Sequence, residues 1–271
     1  MRCSRRAPVM MITTIAPAAE RRRWTANRRE VAARMKIVIQ CAASKHDCAG
    51  KLRTSSGEDV LFVADPKLCV SVPAGMRYAR PDDPCGDKAA TWRDVLKRYN
   101  EQTDNPCSLL RAADLYAPKE HVFRKLYQEL VRAFGWNNVF ILSAGWGLIR
   151  ADFWTPDYNI TFSAQGKKDK PWVWRNTKDR SWLDFNHLQD APIAQDEPIH
   201  LFGGRDYLPT FYALVEAVPG RKIVHYMGDV KRRSSFDYVK YKGSEKNRTW
   251  HYRAAKEFVA GRAPQENQVP Q

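Results

Sequence analysis

The segment Gln40-Cys41-Ala42-Ala43-Ser44-Lys45 sets a thiol four residues before an ammonium. At the end of a strand that spacing brings both groups into one pocket, where a nearby cation favours the thiolate and makes a better nucleophile. The competing reading is a buried structural Cys beside a surface Lys. Cys41, His46 and Cys48 follow no zinc-ligand spacing, so no metal is expected. A second segment, Leu142-Ser143-Ala144-Gly145-Trp146-Gly147-Leu148-Ile149-Arg150, leads to Asp157-Tyr158. Gly145 and Gly147 permit tight turns and close approach to a ligand. Ser143 and the loop amides can receive a phosphate or a base edge; otherwise the segment is a plain strand exit. A third, Gly203-Gly204-Arg205-Asp206-Tyr207, offers N–H groups to an anion ahead of a helix, or Asp206 as that helix's cap. Asp114-Leu115-Tyr116 supplies a carboxylate and a phenol, or only local turn chemistry.

The elements that must position these residues alternate. Met35–Cys41 reads as a buried strand around Ile37, Val38 and Ile39. Residues 46–90 are irregular, with short strands expected at Val60–Val63 and Leu68–Val72. Thr91 caps an expected helix, Trp92–Tyr99. The clearest helix opens at Pro118 and runs to Phe134, with Val122, Phe123, Leu126, Tyr127, Leu130, Val131 and Phe134 on one face and Gly135 closing it. Val139–Leu142, Ile199–Phe202 and Lys222–Met227 read as strands and Asp206–Val218 as a helix. The Lys- and Trp-rich stretch 163–196 reads as an insertion. The sum is an α/β fold: a mixed, partly parallel sheet flanked by helices, with a basic C-terminal region. Residues 35–260 read as one domain, between an extension at 1–34 and a tail at 261–271. Sites in such sheets collect at strand carboxyl ends.

The order of these segments resembles the YaaA-like family. That family carries a small-residue-plus-Lys motif after its first strand, an Asp-x-Tyr segment, a Leu-Ser-x-x-Tyr-Gly-Leu-like segment, and a late Asp-Tyr. The matching positions here are Cys41 and Lys45, Asp114 to Tyr116, Leu142 to Arg150 with Asp157-Tyr158, and Asp206-Tyr207, scattered over about 36–256. The chain departs from YaaA proper in three places. Cys41-Ala42-Ala43-Ser44-Lys45 stands for Ser-Pro-Ala-Lys, Trp146 for a Tyr, and Asn159 for an Arg. The Cys-x3-Lys form is similar to a second branch that shares this element with archaeosine synthases, which modify a 7-deazaguanine base in RNA. The YaaA branch is associated with DNA binding and oxidative-stress protection. The resemblance therefore implies nucleic acid, with or without chemistry. It implies a catalytic set of Cys41, Lys45, Asp114, Tyr116, Ser143 and Asp206, in a pocket with Ser44, Gly145, Trp146, Gly147, Tyr158 and Tyr207.

The net charge is +15, and it is concentrated. Residues 1–34 carry +7, residues 231–256 another +7, and the body between them only +2. Local basic blocks suggest a polyanion partner. In the second block Lys231, Arg232, Arg233, Lys240, Lys242, Lys246, Arg248, Arg253 and Lys256 alternate with Phe236, Tyr238, Tyr241, Trp250 and Tyr252. Cations contact phosphates and aromatic faces stack on bases; the plainer reading is a solvated edge whose aromatics are core. Six Cys without a C-x-x-C pair, and no convincing secretory signal, read as reduced cytoplasmic thiols. No segment reaches the about 18 apolar residues of a membrane span, so a soluble protein is expected. The absence of G-x-x-x-x-G-K-[ST] argues against an ATPase, and no cofactor is expected.

Nucleic-acid binding, to DNA rather than RNA, thus stands first. A nucleobase- or nucleotide-modifying enzyme and a non-catalytic interaction module are the alternatives. Residues 1–34 offer little core, and Met35 directly precedes the first strand. A chain starting at Met35 should therefore melt at the same temperature as the full-length chain; a large drop in its melting temperature would count against this reading.

Overall fold

Ile37, Val38 and Ile39 are wholly buried, as a strand covered on both faces must be. The computed structural model describes residues 35–86, 90–243 and 248–261. The expectations for the extension 1–34 and for the tail beyond Gly261 lie outside the described residues. In chain order the strands are β1 (Lys36–Gln40), β2 (Asp59–Val63), β3 (Met76–Ala79), β4 (Leu110–Arg111), β5 (Val139–Ser143), β6 (Gly147–Arg150), β7 (Trp154–Thr155), β8 (Tyr158–Asn159), β9 (Phe185–Asn186), β10 (Pro198–Phe202), β11 (Arg221–Tyr226) and β12 (Asp237–Lys240). The helices are α1 (Trp92–Asn100), α2 (Ala112–Leu115), α3 (Leu126–Phe134), α4 (Ala164–Asp169), α5 (Leu208–Val215) and α6 (Trp250–Val259).

Seven strands form one sheet in the order β12-β11-β10-β1-β5-β6-β9. The five from β12 to β5 are mutually parallel. β6 then returns antiparallel to β5, and β9 follows β6 in parallel. The fold is α/β with a mostly parallel sheet. Alternation along each strand splits the core in two. Ile37 and Ile39 of β1 and Ile141 of β5 pack with α3 and α6 on one face. Val38, Phe140 and Leu201 pack with Leu208, Phe211 and Val215 of α5 on the other. α1 begins at a complete capping box: Thr91 accepts from the Asp94 amide, and Asp94 accepts from the Thr91 amide.

Four expectations need correction. Leu68–Val72 is not a strand; Pro66–Leu68 is a 3-10 turn with Asp65 at its cap, and β2 lies between β3 and β8 in a three-stranded sheet. Helix α3 begins at Leu126 rather than Pro118, because a separate 3-10 turn, His121–Phe123, precedes it. Residues 205–218 divide into a 3-10 turn at Arg205–Tyr207 and the shorter α5. The basic C-terminal block is an edge strand followed by a helix. Phe236, Tyr241, Trp250 and Tyr252 are buried in the two cores. Their rings pack within these cores instead of lying exposed along a basic surface. No helix among the described residues is long and apolar enough to cross a membrane.

Two histidines on adjacent parallel strands face α6. His200 Nδ1 lies 3.0 Å from His225 Nε2, and both rings pack against Phe258. Burial pushes His200 down to about 4 and His225 to about 3. Unfolded histidine titrates near 6.5, so below that pH the unfolded chain binds protons that the folded chain refuses. Stability is therefore expected to fall as pH drops from about 6.5 towards 4. His225→Phe, which keeps the ring against Phe202, should flatten the fall of melting temperature across that window. An unchanged slope would show that other groups govern the acid sensitivity.

Candidate functional site

β1 and β10 are neighbours whose chains leave in opposite directions. The chain after β1 goes to the face covered by α3, and the chain after β10 goes to the face covered by α5. Such a divergence opens a crevice at the strand carboxyl ends. A cleft of about 940 Å³ lies there. Gln40 to Ser44 form one wall, Gly204 to Tyr207 a second, and Met227 to Asp229, after β11, extend it. The amino end of α6, from Arg248 to Tyr252, closes another side.

Tyrosines hold the strand end in place. Tyr127 of α3 donates to the Gln40 carbonyl at 2.8 Å, and Tyr252 of α6 to the Cys41 carbonyl at 3.4 Å. The Gln40 side chain accepts from the Gly204 amide, tying β1 to the loop after β10. Cys41 Sγ lies 3.3 Å from the Tyr207 hydroxyl. Lys45 follows, half-buried, with Nζ 4.0 Å from the centre of the Tyr158 ring. Loss of water lowers the proton affinity of Lys45 below that of an ordinary lysine, while Cys41 and Asp157 partly restore it. Behind Lys45, the Tyr158 hydroxyl is 2.9 Å from both the Tyr116 hydroxyl and Ser143 Oγ. Burial pushes the phenols of Tyr116, Tyr158 and Tyr207 well up, so they remain protonated hydrogen-bond donors. An amine that holds its proton less tightly than an ordinary lysine thus sits among a thiol and protonated phenols. That set can attack an electrophilic carbon or take up a proton, and can stabilise developing negative charge.

The loop after β5 is braced by two buried guanidinium groups that the motif reading passed over. Arg175 donates to the Ala144 carbonyl at 2.9 Å. Arg93 donates to the Gly145 and Trp146 carbonyls at 3.0 and 3.1 Å. Asp82 and Asp184 pair with Arg93, and Asp184 also with Arg175. The Trp146 amide donates to Ser143 Oγ. Gly147 has a φ of +86°, and a Cβ there would lie 2.6 Å from the Phe185 carbonyl. Only glycine fits that turn without strain. Arg93 sits on the buried face of α1 with Trp92, Leu96 and Tyr99. A charge on an apolar face was the one available signal of a buried partner.

The expected site residues fall into three groups. Cys41, Ser44, Asp206 and Tyr207 line the cleft, with Asp206 exposed at its rim. Lys45, Tyr116, Ser143 and Tyr158 form the layer behind Cys41, and Gly145, Trp146 and Gly147 are the buried wall beyond it. Asp114 does not join them; it accepts from Gln128 of α3 at 3.3 Å. Tyr252 and His251 line the cleft from a helix read in sequence as a basic tail. Among the described residues no cluster of three or more His, Cys, Asp or Glu could hold a metal.

Lys231, Arg232, Lys240, Lys242, Arg248 and Arg253 are exposed. Arg232 rests on Tyr226 and Tyr238, while Arg233 is paired with Glu216 at 2.7 Å and lies over the Tyr212 ring. Compared with known proteins, the chain matches no family model and no curated protein.

Removing the Arg93 head would leave the Gly145 and Trp146 carbonyls without their donor and take one cation from Asp82 and from Asp184. Arg93→Met is expected to cost roughly 3–5 kcal/mol in denaturant unfolding, and Arg93→Lys to restore little, since one ammonium cannot span that fork. Lys45 predicts the opposite sign. Its charged form is disfavoured in the folded chain at neutral pH, and this penalty fades as pH climbs towards 10.5. Lys45→Met should raise the melting temperature near pH 7. The gain should shrink at alkaline pH; a loss at neutral pH would contradict it.

Proposed function

We propose that the chain modifies a nucleobase or nucleotide held in the cleft between β1 and β10, with Lys45 as the reactive amine and Cys41 beside it. The observation that carries this reading is the desolvated Lys45 ammonium, packed on Tyr158 directly behind a thiol that lines the cleft. Its neutral form is the nucleophile or proton acceptor that such chemistry needs. The Cys41-x3-Lys45 resemblance to archaeosine synthases supports a base as the group acted upon. The YaaA-like resemblance supports a nucleic-acid setting. The five described cysteines are free thiols, in keeping with a reducing compartment such as the cytoplasm.

Labelling with an amine-directed reagent at graded pH, read by mass spectrometry, tests the proposal. Lys45 is expected to react at a lower pH than surface lysines do, and purine nucleobases or nucleotides should protect it. Reaction like an ordinary lysine, with no protection by any of them, would falsify the reading.

A second reading is DNA binding of the YaaA type without catalysis. It rests on the exposed Lys240, Lys242 and Arg253, whose heads make no ion pair among the described residues. Each phosphate contact contributes about −0.9 to the log–log salt slope on duplex DNA. Reversing these three residues to Glu should flatten that slope by about 2 to 3 and weaken binding at every sequence. An unaltered slope would remove this surface from consideration.

A further inference from the structure

The Lys- and Trp-rich stretch 163–196 takes no part in the Cys41–Lys45 chemistry, yet its first residues join the cleft to a second cavity. That cavity, of about 570 Å³, has Lys67, Arg80, Lys167, Trp174, Arg175 and Trp182 on its walls. Thr161 and Ser163 line the cleft, whereas Lys167 and Trp174 line the second cavity. Thr161 and Trp174 are partners in a parallel β-bridge: the Thr161 amide donates to the Val173 carbonyl and the Arg175 amide to the Thr161 carbonyl, both at 2.8 Å. Bridged residues lie about 5 Å apart, so one rung separates a wall of one cavity from a wall of the other. Helix α4 lies against this rung. A Cβ on Gly166 would stand 2.7 Å from Thr161 Cγ2, so glycine permits the approach. Charge gathers here as well. Residues 35–230 carry +2 in all, and residues 163–175 alone carry +3, from Lys167, Lys168, Lys170 and Arg175 against Asp169.

The two tryptophans of the second cavity differ. Trp182 is buried, with the guanidinium carbons of Arg80 and Arg175 at 4.6 and 4.0 Å from its ring centre and its indole N–H donating to Asp179. It belongs to the wall. Trp174 is partly exposed, and among the described residues the one cation resting on it is the exposed Lys167, 4.9 Å from its ring centre. Lys67 and Lys167 are exposed and make no ion pair among the described residues. The three carboxylates of the cavity each hold a backbone turn. Asp65 accepts from the Lys67 amide at 3.1 Å, Asp83 from the Arg80 amide at 2.7 Å and Asp179 from the Ser181 amide at 2.9 Å. We propose that this cavity takes the nucleotide next to the one in the cleft, so that the substrate is a base within a single-stranded polynucleotide; this rests on the cleft being the nucleotide site proposed above. Trp174 stacks on the neighbouring base, and Lys67 and Lys167 contact the phosphates beside it. A base is modified outside the duplex stack, and its neighbours on the strand are held by aromatic faces and cations. A free nucleotide would fill the cleft and leave Trp174 and these lysines without a role.

The test uses the full chain and a fluorescent single-stranded hexanucleotide of mixed sequence, followed by anisotropy, with mononucleotides and trinucleotides as competitors. A trinucleotide is expected to compete about tenfold better than a mononucleotide. Abasic residues beside its central nucleotide should remove that advantage. Trp174→Ala, its fold checked by melting, should remove it too, and Trp174→Phe, which keeps a ring, should retain most of it. Lys67→Gln combined with Lys167→Gln, both at exposed positions, should flatten the log–log salt slope for the single strand by about 1.4. Ribose and deoxyribose versions of one sequence, run side by side, identify RNA or DNA as the source of the strand by the tighter binding. Equal competition by mononucleotide and trinucleotide would overturn the second cavity's role. So would an advantage that survives both Trp174→Ala and the abasic residues, or a duplex that binds as tightly as its single strand. Each of these leaves the Lys45 proposal standing, because a mononucleotide can still protect that amine. Conversely, oligonucleotide binding that depends on Trp174 but never protects Lys45 would keep the second cavity as a nucleotide site and remove the modifying activity.

Discussion

Arg93 and Arg175 bind the carbonyl oxygens of three consecutive residues, Ala144 to Trp146, and the layer behind the cleft depends on that brace. A loop with three inward carbonyls and no such partners would carry buried acceptors that water cannot reach. The guanidinium groups satisfy them, and Asp82 and Asp184 balance the charge. With the loop fixed, Ser143 meets Tyr158, Tyr158 meets Tyr116, and Lys45 rests on the Tyr158 ring. A chain of contacts thus runs from a buried ion cluster on α1 to the amine in the layer behind Cys41.

The sheet and this brace divide the work. Parallel strands set the crevice where β1 and β10 part. Tyr127 and Tyr252 then fix the carbonyls of Gln40 and Cys41 from two helices that are distant in sequence. Rigid support on this side allows one unfavourable group, the desolvated Lys45, to be tolerated on the other. Functional groups are commonly held in environments that a stability criterion alone would reject.

Periodicity made most of the scaffold legible. The apolar run Ile37 to Ile39, the pattern Val139 to Leu142 and the strand at Lys222 each announce buried strands, and Thr91 announces the start of α1. The segment from Pro118 misled because Val122 and Phe123 continue the apolar face of α3 while their backbone forms a separate 3-10 turn. Cys41, Lys45, Tyr116, Ser143 and Tyr158 could be singled out because small, phenolic and charged residues follow strands. Asp114 could not be separated from them, since sequence does not reveal that its carboxylate faces Gln128. α6 was hidden for a different reason. Trp250, Ala254, Ala255 and Phe258 have helical spacing, but the Lys and Arg among them look like a polyanion-binding surface. Whether an aromatic ring stacks on a base or fills a core is decided by the opposing face, which composition does not contain.

The pairing of β1 with β10 has a bearing on how the chain acquires this shape. Lys36 aligns with Ile199, roughly 160 residues later. At ribosomal rates of about 5–20 residues per second, β1 waits roughly 8–30 s for that neighbour. Until then Ile37, Val38 and Ile39 can form at most the edge with β5. Closing so long a loop before any contact rewards it makes this a late and slow step. The cleft, which needs β1, β10 and the still later amino end of α6, is therefore completed late, and an apolar edge stays open to chaperones or to aggregation until it is.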